Sequence, residues 1–333
     1  MRRGLLAWDA GEVPAAVLDA RVEKTRAAMI ATGFDALLLY NNFPRPAAVS
    51  WLTHFVPYWS QGVLVLPAVG APEYFVSLSK RVAGWIAETS HMGEIVSTPR
   101  LGADLAKRLG GATKIGVLEL NRLPGGIAQP LIAGLPAAAL DDATDLFRAV
   151  RHPADDTEVA ISRKAATLAR DCLDGAFENA DYRQTAALTA AIEGPARLAG
   201  AEEGIVEFAP DLAGDTALRR IDGDIVLGDR YAVRVSLACK GHWIRLGRTY
   251  GAERLDDWIA GSLSPILDGE SVPGLGSPAV TLEACMGSAP LTAVTELPAG
   301  AVGTANLALS VGGDVHLVSI PVLSEDGTVS PLI

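Results

Sequence analysis

The sequence has few of the residues that form disulfides, bind metals or attract polyanions. Three cysteines occur in 333 residues, and the wide spacing of Cys172, Cys239 and Cys285 indicates a reduced compartment and matches no zinc motif. Histidine is also scarce, with five residues, which weighs against a metal-dependent hydrolase. The formal net charge of −11 argues against nucleic acid and anionic membranes as partners.

Long apolar runs are missing as well. The opening residues MRRGLLAWDAGEVP hold a short apolar run that Asp9 and Glu12 interrupt, so they lack the apolar core of a signal peptide. No other run reaches membrane-spanning length. Hydrophobic residues make up 49% and charged residues 20% of a chain long enough for two domains. These properties predict a globular, cytoplasmic protein without a membrane partner.

The first part of the chain alternates between helical and strand patterns. Apolar residues at helical spacing predict a helix over 17–32, and further helices are predicted over 79–89 and 103–110. Short apolar runs predict strands at DALLLY (35–40), VSWLTHF (49–55), GVLVLP (62–67), EYFVSL (73–78) and KIGVLEL (114–120). This alternation predicts an α/β domain over 1–150.

The pattern changes near residue 150. A helix capped by Asp155 or Asp156 is predicted to reach about Ala180, and TAALTAAIEGPARLAG predicts a second helix after it. After Gly204 the chain is strand and turn to its end. We therefore predict a second, α+β domain over 151–333.

Several phrases occur in an order that resembles one known family. They are RVEKTRAAMIATGFDALLLY (21–40), WLTHF (51–55), RAVRHPADDTEVAISRKAA (148–166), GDRYAVRVSLACKGHWIRLGRT (228–249), LPAGAV (297–302) and VHLVSIPVLSEDGTVSPL (315–332). Together they resemble the creatinase / aminopeptidase P family, the pita-bread proteins, over nearly the whole chain. The resemblance implies an α/β N-terminal domain followed by an α+β pita-bread domain.

Metal-dependent members of that family hold two divalent ions with two Asp, one His and two Glu. The resemblance places the two Asp on Arg234 and Arg245, and the two Glu on Asn306 and Val318. The interval from about 270 to 290, where the His is expected, contains no histidine. Because oxygen and imidazole ligands are missing at these positions, we predict neither a metal nor another cofactor.

Two other alignments bear on this prediction. GDIVLGD (223–229) also matches the family's first metal motif, which makes Asp229 the first ligand but leaves the hairpin five residues too long. Creatinase itself works without metal through a His and two Glu. One of those Glu falls on Gly247 here, and the segment that should carry the His (204–220) has none. The metal-free catalytic set is therefore incomplete as well.

Two arginines in place of two acids reverse the charge of the expected site. With a tight hairpin turn at Cys239-Lys240, Arg234 lies directly opposite Arg245 on one face of the sheet. Like charges in that arrangement are unfavourable, so either a bound anion or neighbouring acids should compensate them. We predict that Arg234, Arg245 and the nearby Arg248 bind a small anion or zwitterion, with internal pairing as the alternative.

Two histidines and two aromatic residues complete the candidate site. His316 is two residues before Val318 and is expected to share its face of the strand, where it is a candidate general acid or base. His54 replaces a glycine of the family, and in creatinase-like dimers the loop that follows reaches the neighbour's active site. We expect His54, the second candidate catalytic residue, to line such a pocket with Tyr58 and Trp59; simple packing is the alternative for each.

These residues support three hypotheses. The first is a metal-free, creatinase-like hydrolase, or an enzyme of related acid–base chemistry, that acts on a small anionic or zwitterionic metabolite. The second is a catalytically inactive homologue, a pseudoenzyme that binds a ligand or a protein partner. The third is a metal hydrolase whose ligands are aligned wrongly above. The sequence favours the first slightly, and the resemblance also implies a homodimer.

Overall fold

The computed structural model describes residues 6–135, 138–178, 183–251, 255–325 and 327–333. Contacts between Cα atoms divide the chain into two compact units. The described residues up to Pro153, together with Cys285–Pro290, form the first unit, and Ala154–Ala284 with Leu291–Ile333 form the second. The sequence patterns did not indicate that Cys285–Pro290 belongs with the first unit.

The first unit is an α/β domain, as predicted. Its helices are α1 (Ala15–Ala31), α2 (Ala47–Thr53), α3 (Ala83–Thr89), α4 (Leu101–Arg108), α5 (Gly125–Gly134) and α6 (Thr144–Arg151). Its strands are β1 (Ala36–Asn41), β2 (Gly62–Pro67), β3 (Glu73–Val76), β4 (Glu94–Ser97), β5 (Lys114–Val117) and β6 (Ala139–Asp142). Among the described residues, six strands form one sheet in the order β4-β3-β2-β1-β5-β6. β2 is antiparallel to both neighbours, and the other pairs are parallel.

Both faces of this sheet are covered by apolar residues. Leu37 and Leu39 of β1 belong to one core, with Trp51 and Phe147. Leu38, between them in the chain, belongs to a second core with residues of α4 and α5. Burial on both faces explains why these strands are continuous apolar runs in the sequence.

One predicted strand is a helix. The sequence predicts a strand at VSWLTHF (49–55), but Ala47–Thr53 form α2, and every residue of α2 is buried. A short helix that is apolar on all sides has the same sequence pattern as a buried strand, so periodicity does not distinguish them. The prediction was wrong for this reason.

The second unit combines helices with one antiparallel sheet. Its helices are α7 (Asp156–Glu178), α8 (Thr185–Leu198), α9 (Asp256–Gly261) and α10 (Leu263–Leu267). Its strands are β7 (Glu203–Ala209), β8 (Tyr231–Cys239), β9 (His242–Tyr250), β10 (Ala279–Ala284), β11 (Thr292–Val294), β12 (Val302–Val311), β13 (Asp314–Glu325) and β14 (Thr328–Pro331). In the described ranges the strand order is β11-β10-β12-β13-β9-β8-β7, and β14 pairs with β13.

α7 covers one face of this sheet. The ring of Phe177 on α7 stacks on Tyr250 of β9, and its centroid is 6.1 Å from that of Tyr231 on β8. Because side chains alternate along a strand, Val233 and Val235 project from the same face as Tyr231. We call this the helix-covered face. No helix within the described ranges is long and apolar enough to cross a membrane.

Candidate ligand-binding site

A row of residues crosses five adjacent strands of the second unit. Strand pairing places Glu207 opposite Arg234, Arg234 opposite Gly247, Gly247 opposite Ser319, and Ser319 opposite Asn306. Directly opposite residues of antiparallel strands lie on the same face of a sheet. Val233 and Val235 project from the helix-covered face. Arg234 lies between them in β8, so this row projects from the opposite face. We call it the network face.

The β8–β9 hairpin turns at Lys240-Gly241, one residue later than expected. Both residues have positive φ, +51° and +79°, as a two-residue type I′ turn requires. Arg245 therefore lies opposite Ser236 and not opposite Arg234. The predicted direct opposition of the two arginines was wrong, because moving the turn by one residue shifts every pairing by two.

Each arginine on the network face is bonded to a glutamate. Arg234 donates from Nε to Glu207 Oε2 at 2.8 Å and from Nη2 to Glu207 Oε1 at 3.0 Å. Arg245 donates from Nη1 to both carboxylate oxygens of Glu283 at 2.6 Å. The four side chains are between 15% and 20% exposed. Reduced contact with water strengthens both pairs, and their formal charges cancel.

Asn306 connects the two ion pairs. Its Nδ2 donates to Glu283 Oε2 at 2.9 Å, and its Oδ1 accepts from Arg234 Nη1 at 3.4 Å and from Ser319 Oγ at 2.7 Å. The Nε of Arg245 also donates to the hydroxyl of Ser236 at 2.9 Å. We call the connected set the Arg–Glu network. It consists of Glu207, Arg234, Ser236, Arg245, Glu283, Asn306 and Ser319.

Glu207 and Glu283 are not among the residues predicted from the sequence. Each is an acid in a mostly apolar strand, in VEFA and TLEA respectively. An isolated acid in an apolar strand is a candidate partner for an arginine on the same face of a neighbouring strand. This was the signal in the sequence that could have identified both glutamates. The pairing corresponds to the alternative that the sequence left open, in which neighbouring acids compensate the arginines.

β13 places Ser319, and not Val318, on the network face. Val318 pairs with Leu307, whereas Ser319 pairs with Asn306. Since side chains alternate along a strand, Val318 and His316 project from the helix-covered face. Val318, the predicted position of the second glutamate, therefore does not lie on the network face. His316, which is buried, therefore does not join the two arginines as a general acid or base.

Arg248 also projects from the helix-covered face. It follows Gly247 directly, so alternation along β9 directs it away from the Arg–Glu network. Its Nη1 donates to Asp174 Oδ1 on α7, and the two side chains are 10% and 38% exposed. Arg248 is therefore not placed beside Arg234 and Arg245, and a role for it in binding the same ligand stays a prediction.

The other three predicted residues belong to the first unit. His54 follows α2 with a φ of +58°, its N–H donates to the carbonyl of Ser50 at 2.7 Å, and its side chain is buried. Tyr58 and Trp59 are exposed. Their rings meet edge to face, and Trp59 stacks on Trp85 with the ring planes 13° apart. A catalytic role for His54 and a binding role for the aromatic pair stay predictions.

The Arg–Glu network does not have the donor set of a metal site. Two of the positions expected to supply carboxylates carry guanidinium cations, and the two glutamates present are bonded to those cations. Asp229, the ligand of the alternative alignment, is exposed and precedes β8. Within the described residues, no group of three or more His, Cys, Asp or Glu is placed to hold a metal ion. The residues on this face therefore do not fit a divalent cation.

Comparison with known proteins connects this geometry to a family. Residues 21–152 match the model of the creatinase/prolidase N-terminal domain. The first unit is a creatinase/prolidase N-terminal domain. No curated protein matches the sequence.

Solved structures extend the likeness to both units of this creatinase/prolidase-like chain. X-Pro aminopeptidase from Thermotoga maritima MSB8 has a TM-score of 0.70 at 13% identity, covering 93% of this chain and 96% of its own. Dipeptidase PepE from Mycobacterium ulcerans has a TM-score of 0.67 at 18% identity, covering 98% and 96%. The prolidase from Pyrococcus horikoshii OT3 has 0.65 at 16%, covering 94% and 97%. The chain therefore has the pita-bread fold, and the family resemblance seen in the sequence is confirmed.

The Arg–Glu network of this creatinase/prolidase-like chain presents both signs of charge on one face. Its guanidinium groups are donors with the geometry for carboxylates, and its glutamates are acceptors with the geometry for ammonium groups. A ligand with one carboxylate and one ammonium group can therefore pair with both kinds of side chain. Its binding leaves the net charge of the network unchanged. Of the described residues, neither His242 nor His316 projects from the network face.

Proposed function

We propose that this protein is a metal-independent, non-peptidase member of the pita-bread proteins that binds a small anionic or zwitterionic metabolite. One observation carries the proposal: Arg234 and Arg245, at positions where metal-dependent relatives are expected to have aspartates, form a hydrogen-bonded network with Glu207 and Glu283. A network with cations at these positions binds ligands through ion pairing and not through metal coordination.

Within this proposal a zwitterion is the preferred ligand. A free anion has to displace a glutamate from an arginine and leaves that carboxylate uncompensated, which is costly at a largely buried position. A ligand with both a carboxylate and an ammonium group supplies a partner to each displaced side chain. Some structural neighbours are named as dipeptidases, and dipeptides carry both groups. This chemistry supports a dipeptide or an amino acid as the ligand class.

Catalysis is not part of the proposal. A metal-free hydrolase needs a proton-transfer group beside the bound ligand, and the candidate His316 lies on the other face of the sheet. Both glutamates of the network are bonded to arginine, so neither simply replaces His316 as the proton-transfer group. The pseudoenzyme hypothesis is therefore better supported than the enzyme hypothesis. The homodimer and the cytoplasmic location stay predictions.

The proposal is tested by measuring metal content, hydrolysis and binding on the same preparation. Protein purified without chelator should hold less than about 0.1 equivalent of metal and should not hydrolyse Gly-Pro with added Mn²⁺. Gly-Pro should raise the melting temperature, whereas N-acetyl-Gly-Pro and Gly-Pro amide, which each keep one charged group, should do so much less. Arg234→Gln should abolish the response, and Arg122→Gln, at an exposed position of the first unit, should keep it.

Two results would contradict the proposal. Stoichiometric metal together with metal-dependent hydrolysis would show that the alignment of the ligand positions is wrong. Equal stabilisation by all three peptides, or no loss in Arg234→Gln, would show that the Arg–Glu network is not the ligand site.

A further inference from the structure

A small pocket lies on the helix-covered face, behind the Arg–Glu network. Its volume is about 120 Å³. It lies between α7, α9 and strands β9, β13 and β14, Ile333 also lines it, and we call it the rear pocket. The lining side chains that decide its chemistry are Arg170, Leu246, Arg248, Ala260, Val318 and Ile320.

The rear pocket lies beside the contact between β9 and β13. Among the described residues, these two strands share the single register pair Gly247 and Ser319. Beyond that pair, Thr249 takes the place of backbone pairing, since its Oγ1 donates to the carbonyl of Leu317 at 3.1 Å and accepts from the N–H of Leu317 at 2.8 Å. Gly247 and Ser319 also line the rear pocket. The rear pocket therefore lies over the point where these two strands are in register.

Two guanidinium groups line the rear pocket, while the acids beside them do not. Arg248 is bonded to Asp174, and Arg170 Nε is 3.6 Å from Asp171 Oδ1. Asp171 is 64% exposed and lines a different groove, between α7 and α8. The contact between Arg170 and Asp171 joins two exposed groups and is therefore weak. The rear pocket itself combines cationic donors with an apolar wall.

We propose that the rear pocket binds a short-chain aliphatic monocarboxylate. The carboxylate is held by Arg170 and Arg248, whose planar groups match it in bidentate geometry. The alkyl chain lies against Leu246, Val318 and Ile320, where removal from water stabilises it. The volume corresponds to about four water molecules, which suits a chain of about three to five carbons. Inorganic phosphate has no apolar part to use this wall and a larger desolvation cost, so it binds more weakly.

The site is tested by titrating the full chain with sodium butyrate in a calorimeter, against sodium chloride at equal ionic strength. Wild-type protein should bind one equivalent in the low millimolar range or tighter. Arg170→Gln, at a half-exposed side chain, should weaken binding about tenfold, which corresponds to the low end of the free energy of a charged hydrogen bond. Ala260→Phe should remove binding by filling the pocket. Arg163→Gln, an exposed arginine on the same helix, is the matched control and should bind butyrate normally.

Each remaining outcome counts against the proposal. Absence of saturable butyrate binding would overturn it, as would equal losses in Arg170→Gln and Arg163→Gln, which would indicate a general charge effect. Affinity that keeps rising from butyrate to octanoate would indicate nonspecific apolar binding, because a pocket of about 120 Å³ accommodates only a short chain. Tighter binding of inorganic phosphate than of butyrate would show that the ligand class is wrong.

Discussion

On the network face, Arg234 and Arg245 are bonded to glutamates on strands of the same sheet, whereas on the helix-covered face Arg248 is bonded to Asp174 on a helix. The three arginines lie within 15 residues of one hairpin. Both acids on the network face are at most 16% exposed, whereas Asp174 is 38% exposed. An acid with access to water tolerates the loss of its partner, and an acid without it does not. The same residue type therefore contributes differently to stability on the two faces.

The paired glutamates also explain why the sheet tolerates cations on the network face. The charge of each network arginine is balanced by a carboxylate on a nearby strand, so the face carries no net charge from the four residues. Removing both arginines would leave the two glutamates with an excess of negative charge, which is the condition under which a divalent cation binds. The arginines thus supply the positive charge that balances the two glutamates on the network face.

Reversing the charge of both network arginines is the strongest test of this difference. Arg234→Asp/Arg245→Asp should lower the free energy of unfolding by about 4 kcal/mol or more, because four carboxylates then repel one another on one face. Millimolar Mn²⁺ should raise the melting temperature of this variant and not of the wild type, since a cation that binds only the folded state stabilises it. Unfolding in urea with and without Mn²⁺ measures both effects.

The matched control is Arg234→Asn/Arg245→Asn, which has nearly the same shape as the reversed variant without the added acids. It should be destabilised, and Mn²⁺ should raise its melting temperature much less than that of the reversed variant, because two carboxylates hold a divalent cation less well than four. A wild-type protein that responds to Mn²⁺ as strongly as the reversed variant would contradict the view that the arginines exclude cations from this face.

Single replacements compare the two faces directly. Arg245→Met should cost about 2–3 kcal/mol, because it leaves the largely buried Glu283 without its partner. Arg248→Met should cost about 1 kcal/mol, because Asp174 can be hydrated. The double variant Arg245→Met/Glu283→Leu should recover most of the loss, since replacing both charges removes the uncompensated one. Urea midpoints at constant m-value measure these differences.

Equal costs for Arg245→Met and Arg248→Met would remove the distinction between the faces. Failure of Glu283→Leu to rescue Arg245→Met would show that the arginine acts through its contact with Ser236 and its packing rather than through the ion pair.

Much of the fold could be predicted from the sequence because it depends on local patterns. Apolar runs and helical spacing located the β1, β2 and β3 strands and the long helix α7, since these signals need no knowledge of distant residues. α2 was missed because its residues are buried on all sides, which removes the periodicity. The family resemblance supplied the pita-bread fold, which periodicity alone does not specify.

The candidate site was predicted less completely because it depends on register and on distant partners. Arg234 and Asn306 lie on one face of the sheet, but Val318, the last expected ligand position, lies on the other face, next to Ser319 in the chain. Glu207 is 27 residues from Arg234, and Glu283 is 38 residues from Arg245. No local pattern connects such pairs, so only the folded sheet shows that they are bonded.

The smallest predicted effect concerns Glu202, which holds the tip of the hairpin that both faces share. Its carboxylate accepts from the N–H groups of Lys240 at 2.9 Å and Gly241 at 2.5 Å. Burial raises the pKa of Glu202 above its ordinary value of 4.5, although these hydrogen bonds and nearby His242 oppose that shift.

A raised pKa in the folded state means that the folded protein retains this proton at a pH where the unfolded chain has lost it. The contribution of Glu202 to stability is therefore fully present below pH 4.5 and is lost as pH rises through the raised pKa. Glu202→Gln, which does not titrate, should lack this dependence. The free energy of unfolding of the wild type minus that of the variant should fall with rising pH in that window, by at most about 1.4 kcal/mol per pH unit. Urea unfolding between pH 4 and 7 measures the difference. A difference that is constant, or that rises with pH, would show that the hydrogen bonds from the turn outweigh burial and that Glu202 anchors the hairpin as a stable carboxylate.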